Sequence, residues 1–269
     1  MPEGNELHRF AELQSALFTG RKVTVAAPNG RFTQGAAHLD GRKLKTIDAF
    51  GKHLFYDFGR GRQLHVHLGL FGKFRAGDMP FPDPKGALRM RISTPENWLE
   101  LRGPTACEVL AEAEREALLN RIGPDPLRAD ADAKVAIERI RKSRTPIGAL
   151  LMDQSVIGGL GNIFRAELLF RAQLNPFQPG NTVSASALHK LWAEAVQLMR
   201  AAMVDRRIVT TKNKDRPHPN GKARRGETHY VYHRTGLPCF VCGVHVSARE
   251  FVARRVYWCP GCQPALTKP

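Results

Sequence analysis

The feature that most constrains the fold of this chain is a set of four cysteines near its C-terminus, arranged as two Cys-x-x-Cys pairs. Cys239 and Cys242 form the first pair, Cys259 and Cys262 form the second, and sixteen residues separate them. Each pair can present two thiolates to one tetrahedral Zn²⁺, and the spacer is long enough for both strands of a hairpin. We therefore predict one structural zinc that holds a small β-hairpin and leaves no open position for catalysis.

The charge balance points to a polyanionic partner. The chain carries 41 Lys and Arg against 25 Asp and Glu, a formal net charge of +16. Such a field favours nucleic acid or an acidic membrane surface, although solubility alone is an alternative. Residues 1–20 lack the pattern of a signal peptide, no apolar run approaches a bilayer span, and no bulky basic amphipathic helix is seen. We expect a cytoplasmic monomer with no membrane partner.

The hydrophobic pattern divides the chain into a β-rich first part and a helical second part. The first part has a predicted helix at 5–19 and then strands, at 22–26, 43–50, 53–58, 63–68, 88–93 and 98–101, before a short helix near 107–120. The segment 121–132, rich in Pro, Gly and Asp, is the predicted interdomain linker. Helices follow at 133–142, 147–153, 163–172 and 185–204.

These elements predict an α+β protein. An N-terminal helix and an antiparallel β-sandwich occupy 1–120, a helical domain occupies 133–228, and the zinc finger occupies 229–269. The polar, basic stretch 210–228 is expected to be a mobile loop inside the helical domain. Cys107 has no predicted role beyond that of a buried thiol.

The first residues of the chain carry a chemical signal. Removal of Met1 exposes the secondary amine of Pro2 beside the Glu3 carboxylate. An α-amine has a pKa of about 7.7–8, against about 10.4 for lysine, so a useful fraction of it is unprotonated at neutral pH. From these first residues alone, the alternative is that the chain begins with Met-Pro-Glu by chance.

Two glycine-bounded segments are candidates for nucleic-acid contacts. At 151–170 a helix, a glycine-rich turn and a helix beginning about Asn162 form a unit that could grip phosphate, or merely a tight helical hairpin in a core. At 65–74 a strand runs into Gly-Leu-Phe-Gly, where Leu70 and Phe71 could wedge into a base stack or pack inward. Lys52 follows a glycine at the head of a strand and could face an anion.

Taken together, these motifs resemble the family of formamidopyrimidine-DNA glycosylase and endonuclease VIII. The resemblance spans nearly the whole chain, and the motifs occur in family order. They are the N-terminal Pro-Glu, the strand lysine after glycine, the helix–two-turn–helix unit with its Gly-Asn, and the four-cysteine finger that continues into Gln263.

The resemblance implies a role for each matching residue. Pro2 is the expected nucleophile and Glu3 the proton donor, with Glu6 in a supporting role. Lys52 and Arg254 are expected to contact phosphate and to assist the elimination steps. The expected DNA contacts are Leu70, Phe71, Arg121 and Asn162.

The implied function is that of a bifunctional DNA glycosylase and abasic-site lyase acting on double-stranded DNA that contains damaged bases or abasic sites. The opening MPEG resembles the endonuclease VIII branch, and QSVIGG at 154–159 with MPEGNELHR at 1–9 resembles most closely its actinobacterial subgroup. Leu70 at the loop tip, where the other branch commonly has methionine, favours oxidised pyrimidines as substrates. The Arg-Phe-Gly loop of the other branch has no counterpart in ELRGPTACEV at 100–109. The alternatives are an 8-oxoguanine or formamidopyrimidine glycosylase and a non-catalytic damaged-DNA-binding protein.

Overall fold

The structure is a computed structural model that describes residues 2–265. The chain forms two compact units that divide after Arg121. The N-terminal unit is mainly β and the C-terminal unit is mainly helical, as the sequence predicted. Among the described residues, no helix is both long and apolar enough to cross a membrane.

The N-terminal unit contains two antiparallel four-stranded sheets. One has the strand order β1-β6-β7-β5 and the other the order β2-β3-β4-β8. The helices of this unit are α1 (Gly4–Phe18), α2 (Thr33–Leu39) and α3 (Glu112–Leu119). The strands are β1 (Thr24–Ala26), β2 (Thr46–Phe50), β3 (His53–Asp57), β4 (Gln63–His67), β5 (Lys73–Asp78), β6 (Leu88–Ser93), β7 (Asn97–Arg102) and β8 (Ala106–Leu110).

The core of this unit follows from the two-residue period of its strands. In the pair β3–β4, Leu54 lies opposite Val66 and Tyr56 lies opposite Leu64, and all four side chains are fully buried. Apolar side chains of the other sheet, such as Met90 and Leu101, belong to the same core cluster. The predicted N-terminal helix with an antiparallel β-sandwich is therefore confirmed.

The predicted helix near 107–120 is wrong over its first part. Residues 106–110 form β8, which pairs with β4 and places Cys107 opposite Val66. The helix α3 begins only at Glu112. Cys107 and Val109 alternate with the polar Glu108, a period typical of a strand, and this pattern decides the structure. The helix α2 and the strand β5 are further elements that the hydrophobic pattern does not predict.

The C-terminal unit packs four helices and one hairpin. The helices are α4 (Ala133–Arg141), α5 (Ile147–Leu150), α6 (Asn162–Arg171) and α7 (Ala185–Asp205), and the hairpin strands are β9 (Ser247–Phe251) and β10 (Arg254–Trp258). The helices share one apolar core that includes Ile140, Phe164 and Leu191. A smaller cluster beside it joins Phe170 to Tyr257 of the hairpin.

Two connecting segments have defined contacts within the C-terminal unit. In the stretch 122–132, the Gly123 amide donates to the carbonyl of Gln154, at 2.8 Å, and Asp125 is fully buried. In the stretch 210–228, the ends are tied together by a hydrogen bond from the Thr210 amide to the Thr228 carbonyl, at 2.8 Å. The basic segment therefore has its two ends fixed side by side.

Candidate active site and nucleic-acid interface

The predicted nucleophile and acid lie at the N-terminal end of α1. Glu3 is the residue before the helix, and its extended backbone (φ −108°, ψ 176°) lets its carbonyl accept from the amides of Glu6 and Leu7. Its side chain does not cap the helix, although the residue is only 2% exposed. Pro2 is half-buried directly before it, and Met1 lies outside the described residues. A buried carboxyl next to the chain's second residue is what proton donation beside an N-terminal amine requires.

Glu6 belongs to the first turn of α1, where the helix dipole stabilises a carboxylate. Its carboxylate accepts from Arg9, with the Nε–Oε2 distance at 3.1 Å. The predicted supporting residue is therefore ion-paired on its own helix.

Lys52 occupies the tight turn between β2 and β3. Phe50 pairs with His53, so Gly51 and Lys52 are the two turn residues, and Gly51 has the left-handed φ of 60° that glycine adopts readily. Burial and the nearby charges of His67, His65, Lys52 and Arg121 lower the pKa of His53 to about 3. Lys52 and Arg121, two predicted phosphate contacts distant in sequence, thus both act electrostatically on one imidazole.

The predicted loop tip is exposed. Leu70 is 44% and Phe71 is 84% exposed between β4 and β5, which excludes inward packing of Phe71. Glycines are required on both sides of the tip. A Cβ at Gly69, where φ is 65°, would overlap the Thr105 hydroxyl, and a Cβ at Gly72 would overlap the Leu68 carbonyl. The tip is therefore an apolar protrusion held by a compact glycine-bounded turn.

Asn162 is not the N-cap residue of α6. Gly161 takes the cap position of α6, and Asn162 is the first helical residue. Its side-chain Nδ2 donates to the backbone carbonyl of Arg255, at 3.1 Å, and its Oδ1 accepts from Arg165. The amide group is thus directed at the start of β10, close to the turn of the β9–β10 hairpin.

Arg165 is a site residue that the sequence motifs did not predict. It is fully buried, and besides Asn162 its guanidinium contacts the carbonyl of Arg255, at 3.1 Å from Nη2. Its position three residues after Asn162, on the same face of a helix whose neighbouring residues are apolar, was the available signal. Arg165 therefore fastens the start of α6 to the hairpin.

Glu167 is the second missed residue, and it organises the segment that precedes the finger. Its buried carboxylate accepts from the backbone amides of Tyr230, Val231 and Tyr232, at 2.7–2.9 Å, and from the Thr210 hydroxyl. These three hydrogen bonds hold the backbone of residues 230–232 against α6. No feature of the local sequence indicates these partners, which lie more than forty residues away.

The predicted hairpin is confirmed, and its arginines have distinct environments. Arg254 is half-buried at the start of β10, opposite Phe251, whereas Arg255 is exposed. The Arg249 guanidinium lies 3.6 Å from the centre of the Phe177 ring. The tip between the strands contains Val252, whose φ of 52° is unusual for a β-branched residue.

The four predicted cysteine ligands meet at the base of the hairpin. Their sulfur atoms all lie within 4.8 Å of one another. The Sγ–Sγ distance is 3.8 Å between Cys239 and Cys262 and 3.4 Å between Cys242 and Cys259. Four sulfurs at about 2.3 Å from one tetrahedral ion lie about 3.8 Å apart, so the cluster fits a single metal ion of the zinc type.

Gln263, directly after the last cysteine, ties the cluster to the helices. It is fully buried; its Oε1 accepts from the Cys259 amide at 2.9 Å, and its Nε2 donates to the Leu174 carbonyl at 2.8 Å. This contact gives a structural reason for a glutamine at the end of the motif.

Comparisons with known proteins agree with this geometry. Residues 1–105 match the formamidopyrimidine-DNA glycosylase N-terminal domain, and residues 122–213 match the formamidopyrimidine-DNA glycosylase H2TH domain. The chain is 44% identical over 268 residues to a Mycobacterium tuberculosis protein named Endonuclease 8 1, covering 98% of this chain and 100% of the relative. It is 33% identical over 237 residues to a Thermus thermophilus formamidopyrimidine-DNA glycosylase, covering 86% of each.

A solved structure shows the same fold. Wild-type Lactococcus lactis Fpg, in complex with DNA containing N7-benzyl-Fapy-dG, superposes with a TM-score of 0.81 at 25% identity and covers 98% of this chain and 100% of that one. The motifs, the four-cysteine cluster and the matched domains agree in order along the chain. This chain therefore belongs to the family of formamidopyrimidine-DNA glycosylase and endonuclease VIII.

Proposed function

We propose that the protein is a bifunctional DNA glycosylase and abasic-site lyase that removes oxidised bases from double-stranded DNA. The observation that carries the proposal is the buried Glu3 carboxyl directly after Pro2, in a side-chain position that α1 does not use for capping. A binding protein has no need for this pair, whereas a lyase needs both groups.

The reaction begins after removal of Met1, when the lone pair of the Pro2 amine attacks C1′ of the damaged nucleotide. The bond from C1′ to the base breaks, and the departing base takes up the proton that the Pro2 nitrogen loses. Glu3 gives a proton to the sugar-ring oxygen as the ring opens. The product is a cationic iminium between Pro2 and C1′. This iminium draws electrons from C2′, which makes the C2′ proton acidic.

Strand cleavage follows from the iminium in two eliminations. Loss of the C2′ proton expels the 3′ phosphate, and loss of the C4′ proton then expels the 5′ phosphate. Hydrolysis of the iminium frees Pro2 for another turnover. We propose that Glu3 accepts and donates the protons in these steps. Lys52 assists the first elimination and Arg254 assists the second.

Recognition of the DNA rests on its phosphates and on an extruded base. The basic residues Lys52, Arg121 and Arg254, with Asn162, are the proposed backbone contacts. Leu70 is the proposed wedge that fills the space left by the flipped nucleotide. Zinc, held by the four cysteines, supplies only the structure of the hairpin that carries Arg254.

We propose oxidised pyrimidines as the preferred substrates. The MPEG start and Leu70 at the loop tip support this choice, and so does the 44% identity to a protein named Endonuclease 8 1. The second candidate, an 8-oxoguanine or formamidopyrimidine enzyme, is favoured by the Thermus relative. Cleavage of matched duplexes containing 8-oxoguanine, dihydrouracil or 5-hydroxyuracil separates the two, since preference for 8-oxoguanine opposite cytosine would favour the second.

Borohydride trapping tests the chemistry. The wild-type protein should become covalently joined to a duplex with an abasic site or thymine glycol, and the adduct should map to Pro2. Pro2→Gly should lose most of the adduct while still binding the duplex. Absence of any adduct with the wild-type protein would overturn the enzymatic proposal, and mass spectrometry that finds Met1 on the active enzyme would overturn the role of Pro2.

A further inference from the structure

A chain of hydrogen bonds runs across the outer face of the sheet that holds Lys52. His53 Nδ1 lies 2.8 Å from His65 Nε2, and His65 Nδ1 lies 2.9 Å from Glu108 Oε1. The three residues come from three adjacent strands, β3, β4 and β8. His67 lies beside the chain, with its ring centre 4.7 Å from that of His53.

The geometry fixes the direction of this chain when the imidazoles are neutral. The Glu108 carboxylate accepts, so His65 carries its proton on Nδ1 and its Nε2 is an acceptor. His53 must then donate from Nδ1, which leaves its Nε2 with a bare lone pair. A bare lone pair cannot bind a phosphate oxygen, but it can take up a proton and then donate to one.

The charges around His53 come from several elements. Lys52, in the preceding turn, and Arg121, after α3, act on it as cations, whereas Glu108 of β8 acts on the far end of the chain. Phe55 is the residue after His53 on the same face of β3, and Asp48 of β2 lies opposite it. The Arg115 guanidinium of α3 lies 5.6 Å from the centre of the Phe55 ring. The His53 end is therefore the cationic end and the Glu108 end is the anionic end.

We propose that this chain is a proton-uptake site for the DNA backbone. When a phosphodiester lies beside Lys52 and Arg121, His53 takes one proton from solvent on Nε2 and donates it in a hydrogen bond to a phosphate oxygen. Glu108, acting through His65, is the positioning residue that holds the His53 ring and offsets its positive charge. This inference rests on the proposed function, since it requires DNA at Lys52.

The electrostatics give the sign of the effect. In the free protein, burial and then the charges of His67, His65, Lys52 and Arg121 lower the pKa of His53 to about 3. Burial is also the main cause that lowers the pKa values of His65 and His67. An anion beside His53 opposes both cations and accepts a hydrogen bond from the imidazolium, so it raises the pKa of His53. Between the free and bound values, affinity for DNA increases as pH falls, by up to about tenfold per pH unit for one proton.

The experiment measures binding of a duplex that carries a tetrahydrofuran abasic analogue, which cannot undergo elimination. Affinity is measured by fluorescence anisotropy from pH 6 to 8 at constant ionic strength. Calorimetry in two buffers of different ionisation enthalpy counts the protons. We expect the wild-type protein to bind at most one more proton than His53→Phe when the duplex binds. Glu108→Gln keeps an oxygen acceptor without its charge and should bind an intermediate number of protons. His189→Gln, an exposed site on α7, is the matched control and should behave as wild type.

A measurement on the wild-type protein does not depend on whether the variants fold. Nitrogen-15 NMR of the free protein should show a neutral His53 protonated on Nδ1 at pH 7, converting to an imidazolium when the duplex binds. Tight binding with equal proton uptake in wild type and His53→Phe, or a His53 that stays neutral in the complex, would overturn this inference alone. Failure of the wild-type protein to bind the duplex at any pH would instead overturn the proposed function.

Discussion

The side chain of Asn162, the first residue of α6, donates a hydrogen bond to the backbone carbonyl of Arg255 in the finger hairpin, 3.1 Å away. This bond connects two motifs that are 93 residues apart in sequence. Because Arg254 immediately precedes Arg255, the contact sets where the predicted phosphate-binding arginine lies relative to the turn before α6. The two motifs are therefore joined into one structural element.

Substitution of Asn162 tests this coupling. Asn162→Asp keeps an oxygen for Arg165 but removes the N–H that reaches the hairpin carbonyl, so two acceptors then face each other. We expect a loss of about 1–2 kcal/mol in the stability of the C-terminal unit and about tenfold weaker binding to an abasic-analogue duplex. Urea unfolding and anisotropy measure the two effects. Asn181→Asp, at an exposed position, is the control, and equal behaviour of both variants would contradict the coupling.

Glu167 is predicted to be the most sensitive buried acid of the C-terminal unit among the described residues. Glu167→Gln replaces one carboxylate oxygen by an NH₂ group that faces backbone N–H donors, which cannot accept from it. We expect a destabilisation of about 3 kcal/mol or more, measured by urea unfolding. Glu138→Gln breaks only the exposed pair with Lys142 and should cost less than about 0.5 kcal/mol. A comparable loss in both variants would contradict the assigned network.

The sequence could predict features that short stretches determine. The hairpin and its cysteines follow from ligand spacing, α1 follows from a 3.6-residue period, and the loop tip follows from its two glycines. Residues whose partners are distant could not be predicted this way. Arg165, Glu167 and Glu108 are ordinary charged residues in the sequence, and only the packing of α6 on the hairpin, or of β8 on β4, gives them partners.

Loss of the predicted zinc should affect one unit selectively. Cys259→Ser removes a buried ligand at the base of the hairpin, so bound metal measured by elemental analysis should fall from about one ion per chain to nearly none. DNA affinity should fall at least tenfold because the hairpin that carries Arg254 loses its support. Amide hydrogen exchange in β3 and β4, which reports on the N-terminal unit, should be unchanged. Serine at Cys107, outside the cluster, should leave metal content and DNA affinity unchanged.

Acid stability of the N-terminal unit should depend on Glu100. The carboxylate is fully buried, and its oxygens lie 2.6 Å from the guanidinium groups of Arg91 and of Arg102. Burial alone would raise the pKa of Glu100, but the two arginines outweigh it and lower the pKa. The stabilisation is therefore complete above the unfolded value of about 4.3 and is lost as pH falls through the lower folded value.

Glu100→Gln should accordingly be less stable than wild type at pH 7, by about 3 kcal/mol, because two buried cations lose their partner. The difference between the two proteins should shrink as pH falls below about 4, where the wild-type carboxylate also becomes protonated. Urea unfolding at pH 7, 5 and 3 measures this, followed by the fluorescence of Trp98 in a background where Trp192 and Trp258 are replaced by Phe. A difference that stays constant with pH would show that the two arginines do not stabilise the charge of Glu100.

The exposed loop tip allows function to be separated from stability. Phe71 is 84% exposed, so Phe71→Ala removes little buried area and should change stability by less than about 0.5 kcal/mol. If the tip enters the base stack, the same substitution should slow release of an oxidised pyrimidine from duplex DNA by tenfold or more, with a smaller effect on single-stranded substrate, which has no stack to open. Val204→Ala, at a residue 82% exposed on α7, is the matched control and should change neither quantity. Equal rates for Phe71→Ala and wild type on the duplex would show that Phe71 takes no part in extrusion and would leave Leu70 as the proposed wedge.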